Sequence, residues 1–178
     1  MDKFLKTIHE LTDIVGPSGR ESKVANYLKK NWNEYGEVKE DRLGNLSITI
    51  GNKGPHIAFS AHMDEVGFVI KYIDEKGFIS LNKLGGIPER VLSGQKILIL
   101  GKKGLIQGVF TTWPHHLTPD SEKYKVKPIG ECWVDVGVFS KKEAESIGLR
   151  VGDFGVYSRS WHVQGKTIFS NSLDNRAG

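Results

Sequence analysis

Ile57-Ala58-Phe59-Ser60-Ala61-His62-Met63-Asp64-Glu65-Val66-Gly67 is the stretch on which the fold turns. His56–Ser60 is short, apolar at its centre and preceded by the turn-forming run Gly51-Asn52-Lys53-Gly54-Pro55. That is the form of an inner strand in a sheet covered on both faces. Such a strand delivers His62 and Asp64, two residues apart, to its carboxyl end, where both can face one ligand. The crevice beyond the strand ends is the usual binding place in α/β proteins, because loops there carry polar groups while the sheet holds them rigid.

Toward the amino terminus, Phe4, Ile8, Leu11 and Val15 recur at helical spacing, and Gly16-Pro17-Ser18-Gly19 ends that helix. A second amphipathic helix carries Val24, Ala25, Leu28 and Trp32 and stops near Gly36. The aromatic residues of both helices read as core. Val38–Asp41 leads into a turn at Leu43-Gly44-Asn45, and Leu46–Ile50 beyond it alternates as a half-buried strand should.

Toward the carboxyl terminus the texture changes. From Glu65 to about Arg159 many short apolar strands alternate with glycine-containing turns, among them 66–72, 77–81, 95–100 and 105–110. Regular strand spacing without helical periodicity predicts a small β-barrel or sandwich. One helix is expected within it, Lys141–Ile147, opened by Ser140 with Glu143 three residues on, a capping box. Beyond the strand-like 166–169 comes Ser172-Leu173-Asp174-Asn175-Arg176-Ala177-Gly178, whose Asp and Asn are suited to opening a helix.

The chain has 178 residues, 38% of them hydrophobic and 26% charged, which suits an ordinary globular protein. No signal-peptide pattern or membrane-length apolar run is present, so a cytoplasmic protein without membrane contact is expected. The net charge of +4 is spread over separate pairs, Lys29-Lys30, Lys102-Lys103 and Lys141-Lys142. A solvated surface is expected from it, and no nucleic-acid partner. The single Cys132 makes neither an internal disulfide nor a zinc-thiolate site and reads as a small apolar residue.

The His-Met-Asp-Glu-Val-Gly run and the Asp-Asn-Arg-Ala-Gly run together resemble the self-compartmentalising, tetrahedral di-metal aminopeptidases. The glutamyl and deblocking aminopeptidases belong to that family, and some members are labelled endoglucanases. The resemblance extends in order through Gly16-Pro17-Ser18-Gly19-Arg20-Glu21, Asp41-Arg42-Leu43-Gly44-Asn45-Leu46 and Gly85-Gly86-Ile87. It implies an α/β fold, a three-layer metallopeptidase-type catalytic domain interrupted by the small β-barrel or sandwich. Residues 1–66 would be the first part of the catalytic domain, 67–160 the inserted dimerisation and assembly domain, and 161–178 the return to the catalytic domain. Too few strands remain in the catalytic parts to cover both faces of a sheet, so that domain is expected to be incomplete here and the reading frame to continue.

The resemblance implies two divalent metal ions per complete site, zinc or cobalt, that lower the pKa of a bridging water and polarise the scissile carbonyl. His62 and Asp174 would be metal ligands, the aspartate bridging both ions. Asp64, counted as catalytic in the family, would accept the other imidazole N–H of His62 and fix its tautomer. Peptides would be the substrates, and the family assembles as a homo-oligomer, dimers building a dodecamer. Taken singly, His62 could be a satisfied loop histidine, Asp174 a helix cap and Asp64 a turn cap. Glu65 is not assigned as general base, because in the family the base belongs to a Glu-Glu pair beyond the Asp-Asn-Arg-Ala-Gly run. That pair and the remaining ligands have no counterpart in these 178 residues, and the chain alone is expected to be inactive. His115-His116, His162, His9 and His56 do not read as ligands.

Two other functions compete with hydrolysis by a di-metal site. One is a non-catalytic self-association module derived from the same family. The other is glycoside hydrolysis, which would need two carboxylates flanking an aromatic-lined cleft. No such pair stands out in the sequence.

Overall fold

A computed structural model describes residues 2–178, which form two compact units. One comprises the chain up to Glu65 together with Ser160–Gly178, and the other is Val66–Arg159.

In the first unit, helix α1 (Lys3–Asp13) is opened by the Asp2 carboxylate, which accepts the Phe4 N–H. Ile8, Leu11 and Thr12 form its buried stripe. Phe4, expected on that stripe, is 63% exposed because it sits a full turn ahead of Ile8, in the first turn of the helix. Helix α2 (Ser22–Trp32) buries Val24 and Ala25 and leaves Leu28 and Trp32 half-buried. Strands β1 (Val38–Glu40) and β2 (Leu46–Ile48) pair antiparallel. Their connection is held by the Asp41 carboxylate, which accepts from the Leu43 N–H (2.8 Å), the Asn45 N–H (3.0 Å) and Asn45 Nδ2 (2.8 Å).

The inner strand expected over His56–Ser60 is not formed. A strand exists only where neighbours pair with it, and among the described residues none pairs with this segment. Ile57 and Phe59 are consequently 78% and 96% exposed. The sheets of this unit are therefore two two-stranded ribbons, β1–β2 and a second formed by β9 (Trp161–Gln164) and β10 (Thr167–Ser170).

The second unit is a closed barrel. Its strands are β3 (Gly67–Ile73), β4 (Ile79–Leu84), β5 (Lys96–Gly101), β6 (Gly104–Phe110), β7 (Trp133–Asp135) and β8 (Phe154–Tyr157). They run in the order β3-β4-β7-β6-β5-β8, with β8 closing on β3. The period of two along each strand turns alternate side chains inward. Phe68, Ile70, Ile79, Leu81, Ile97, Ile99, Phe110, Val134 and Val156 fill the interior. Phe68 meets Phe110 and Tyr157 edge-on at ring separations of 5.2 and 5.4 Å. Closure leaves no open sheet edge, and of the two architectures expected the barrel is the one adopted. Helix α3 (Lys141–Ser146) carries the expected capping contacts. Ser140 Oγ accepts the Glu143 N–H at 3.2 Å, while the Glu143 carboxylate accepts the Phe139 N–H at 2.8 Å.

Although its Asp and Asn suit a helix start, the last segment forms only a turn, α4 (Leu173–Arg176), within which Asp174 and Asn175 have non-helical backbone. Ser172, just before it, is left-handed at φ 61°.

Candidate metal-binding site

His62, Asp64 and Asp174 come together in the first unit. His62 Nδ1 lies 2.9 Å from Asp64 Oδ1 and 3.1 Å from the Asp64 carbonyl oxygen, a contact made possible by their two-residue spacing. Its Nε2 lies 2.9 Å from Asp174 Oδ1. Ser18, from the glycine-rich loop after α1, donates its hydroxyl to Asp64 Oδ2. The order Ser18, Asp64, His62, Asp174 is a continuous hydrogen-bonded chain.

A carboxylate at each ring nitrogen favours the imidazolium. The His62 pKa is raised above 6.5, first by the hydrogen bond to Asp174, with desolvation opposing it and Asp64 adding to it. The Asp64 carboxyl is held below 3.8, chiefly by the Ser18 hydroxyl and then by His62, against desolvation.

Glu65 and Arg176 lie beneath this chain and are both buried. Glu65 Oε1 accepts the Gly16 N–H at 2.9 Å and sits 3.7 Å from Arg176 Nη2, while Oε2 accepts the Ser172 hydroxyl at 2.6 Å. The Arg176 guanidinium also donates to the carbonyls of Leu11 (2.8 Å), Ile14 (3.3 Å) and Gly16 (3.5 Å). The backbone joins in, since the Glu65 N–H donates to the Gly16 carbonyl at 3.1 Å. Gly16 is required by this approach, because a Cβ there would lie 2.9 Å from both Arg176 Nη2 and Val24 Cγ2.

Sequence reasoning considered Glu65 only as a base and did not single out Ser18, Ser172 or Arg176. The available signal was position: each lies inside a motif run, immediately flanking a candidate ligand or within the glycine loop. The other histidines lie elsewhere. His9 stacks on Trp161 at 4.4 Å, His162 is tilted against Phe169 at 6.3 Å, and His115-His116 begin an exposed 3-10 turn.

An imidazole and a carboxylate are a donor pair suited to a divalent metal ion. An imidazole nitrogen and a carboxylate oxygen converge at 2.9 Å, a few tenths short of the roughly 3.3 Å that two ligands on one tetrahedral zinc require. Among the described residues no group of three or more side chains that could hold a metal ion is formed, so His62 and Asp174 would supply a two-donor set only.

The sequence profile of the M42 glutamyl aminopeptidases matches residues 44–178, and the chain belongs to this family. It is 33% identical to the glutamyl aminopeptidase of Lactococcus lactis subsp. cremoris, over all of this chain and 52% of that one. Among solved structures it superposes on a TET aminopeptidase from Thaumarchaeota archaeon SCGC AB-539-E09 with a TM-score of 0.86 at 34% identity. That match covers 93% of this chain and 47% of the other. The Pyrococcus horikoshii TET1 peptidase, described as assembling into a tetrahedron or a large octahedral shell, matches with a TM-score of 0.86 at 30% identity, covering 98% and 52%. The chain spans about half the length of the curated relatives it matches. No helix among the described residues is long and apolar enough to cross a membrane.

Proposed function

We propose that these residues are the amino-terminal portion of a cytoplasmic di-metal aminopeptidase that removes residues from the free amino ends of peptides. One observation carries the reading: in a chain of the M42 family, His62 Nε2 and Asp174 Oδ1 converge at 2.9 Å although 112 positions separate them. His62 and Asp174 would hold the metal, zinc or cobalt. The chemistry such ions supply when bound is activation of water and polarisation of the scissile carbonyl.

The chain's own residues prepare the site. Asp64 accepts the Nδ1 proton of His62, which leaves Nε2 as the donor to metal and raises its basicity. Ser18 occupies the other Asp64 oxygen, so the carboxylate stays ionised and aimed at the ring. His62 must release its Nε2 proton before it can ligate.

The coverage of the relatives supports a longer functional protein, whose catalytic domain would be a three-layer α/β sandwich. Residues 56–60 would enter it as an inner strand, covering Ile57 and Phe59. Residues 67–160 would be the assembly domain of a homo-oligomer. The tetrahedral and octahedral assemblies of the P. horikoshii relative support this, as do the exposed rings of Tyr124 and Phe139. Alone, the 178 residues would be inactive. The two-donor set also favours a second reading, a self-association module without catalysis.

The test is a chimera in which these residues replace the corresponding half of the L. lactis glutamyl aminopeptidase. The expected result is two zinc or cobalt ions per chain by elemental analysis and hydrolysis of aminoacyl anilides. Both should be lost in His62→Ala and Asp174→Ala. A folded chimera that assembles but takes up no metal would establish the module instead.

A further inference from the structure

His62 and Asp174 are both exposed, so neither is held in place by its own burial. They face each other because the segments that carry them are fastened underneath. Glu65 follows His62 by three residues, and its carboxylate contacts both flanks of Asp174: Ser172 two residues before it and Arg176 two residues after it. The same carboxylate and its own N–H tie down Gly16, at the root of the loop that brings Ser18 to Asp64. The segments that carry Ser18, His62 and Asp174 thus all meet at Glu65.

We propose that Glu65, acting through Ser172 and Arg176, is the positioning residue that sets the separation of His62 and Asp174. Its role is exerted through Gly16, Ser172 and Arg176. The proposal rests on the metal-site reading, because the separation matters functionally only if both side chains ligate. A metal site tolerates misplacement of roughly 0.5 Å, and two donors on separate segments need such a common support.

The variant that tests this most gently is Ser172→Ala, which removes the hydroxyl that donates to Glu65 and keeps both charges of the Glu65–Arg176 pair. Ser172→Asn is the rescue, since Asn accepts left-handed backbone and its amide can donate to Glu65. Glu65→Gln is a second variant. Asp174→Asn marks the signature of a lost His62–Asp174 contact, and Phe110→Leu, in the barrel, controls for general destabilisation.

Two readouts are taken on the 178-residue chain: the His62 ring nitrogen signals by NMR with chelator present, and cobalt(II) affinity with its visible spectrum. Ser172→Ala and Glu65→Gln should move the His62 signals toward those of Asp174→Asn and weaken cobalt binding about tenfold or more. Ser172→Asn should restore both, and Phe110→Leu should change neither.

If Ser172→Ala and Glu65→Gln both keep wild-type His62 signals and cobalt affinity, the positioning role is overturned while the metal reading stands. If the wild-type chain and the chimera bind no cobalt, yet the His62 signals still move in Ser172→Ala and return in Ser172→Asn, the metal reading fails and the positioning role survives.

Discussion

His62 Nε2 and Asp174 Oδ1 lie 2.9 Å apart, and this contact is the largest cause of the raised His62 pKa. Asp174→Asn should therefore lower that pKa, as followed by NMR titration with chelator present. A histidine whose folded pKa is raised stabilises the fold fully below its unfolded value of 6.5 and loses that contribution as pH rises through the folded pKa. The wild-type chain should accordingly lose a little stability on going alkaline across that window, and Asp174→Asn should show a flatter dependence. The effect is small because the ring is half exposed to solvent.

Arg176 and Glu65 form a buried pair that backbone carbonyls and hydroxyls complete. Removing one partner strands the other charge, and Arg176→Met should destabilise the first unit by about 3–5 kcal/mol. Urea denaturation reports this. The double variant Glu65→Gln/Arg176→Met should be less damaging than the sum of its parts, because no uncompensated charge remains.

Gly16 is placed against the Arg176 guanidinium so closely that a methyl group would intrude on it and on Val24. Gly16→Ala should cost about 1–3 kcal/mol through overpacking. Gly19, whose added Cβ would meet nothing, is left-handed at φ +82°, so substitution there strains the backbone instead. Thermal unfolding of the two variants should show both losses.

Tyr27 donates its hydroxyl to Glu10 Oε2 at 2.7 Å, and its pKa is pushed up to about 12, first by burial and then by that carboxylate. Phenolate absorbance should show this tyrosine ionising well after an ordinary one. Glu10→Gln should bring it down only part of the way, because burial remains. Since the folded state resists ionisation, the associated stability is complete below pH 10 and is lost as pH rises from there toward 12.

Phe68 is fully enclosed in the barrel and touches two aromatic rings. Phe68→Ala should destabilise the second unit by about 3–5 kcal/mol, visible as a loss of near-ultraviolet circular dichroism on mild heating.

The barrel was legible in the sequence because its signals are local. The short apolar runs Ile97–Leu100 and Leu105–Phe110 and the glycines between strands specify each piece without reference to the rest. The capping box at Ser140 and Glu143 was legible for the same reason. His56–Ser60 was misread because its composition describes the sheet it is suited to, while strand formation depends on neighbours that the described residues do not provide. The meeting of His62 with Asp174 could be anticipated only by resemblance. The Glu65–Arg176 clamp could not be, since a charged residue carries no local mark of being buried against a partner 111 positions away, the difference between 176 and 65.

The barrel begins on β3 and ends on β8, and these two strands are antiparallel neighbours, with Phe68 opposite Gly155 and Val69 opposite Phe154. Its first and last strands therefore lie roughly 4.8 Å apart, side by side. Topologically, Val66–Arg159 is a hairpin loop grown to the size of a domain. Such an arrangement lets the segment lengthen, shrink or be exchanged while the chain on either side still has to bridge only one interstrand gap.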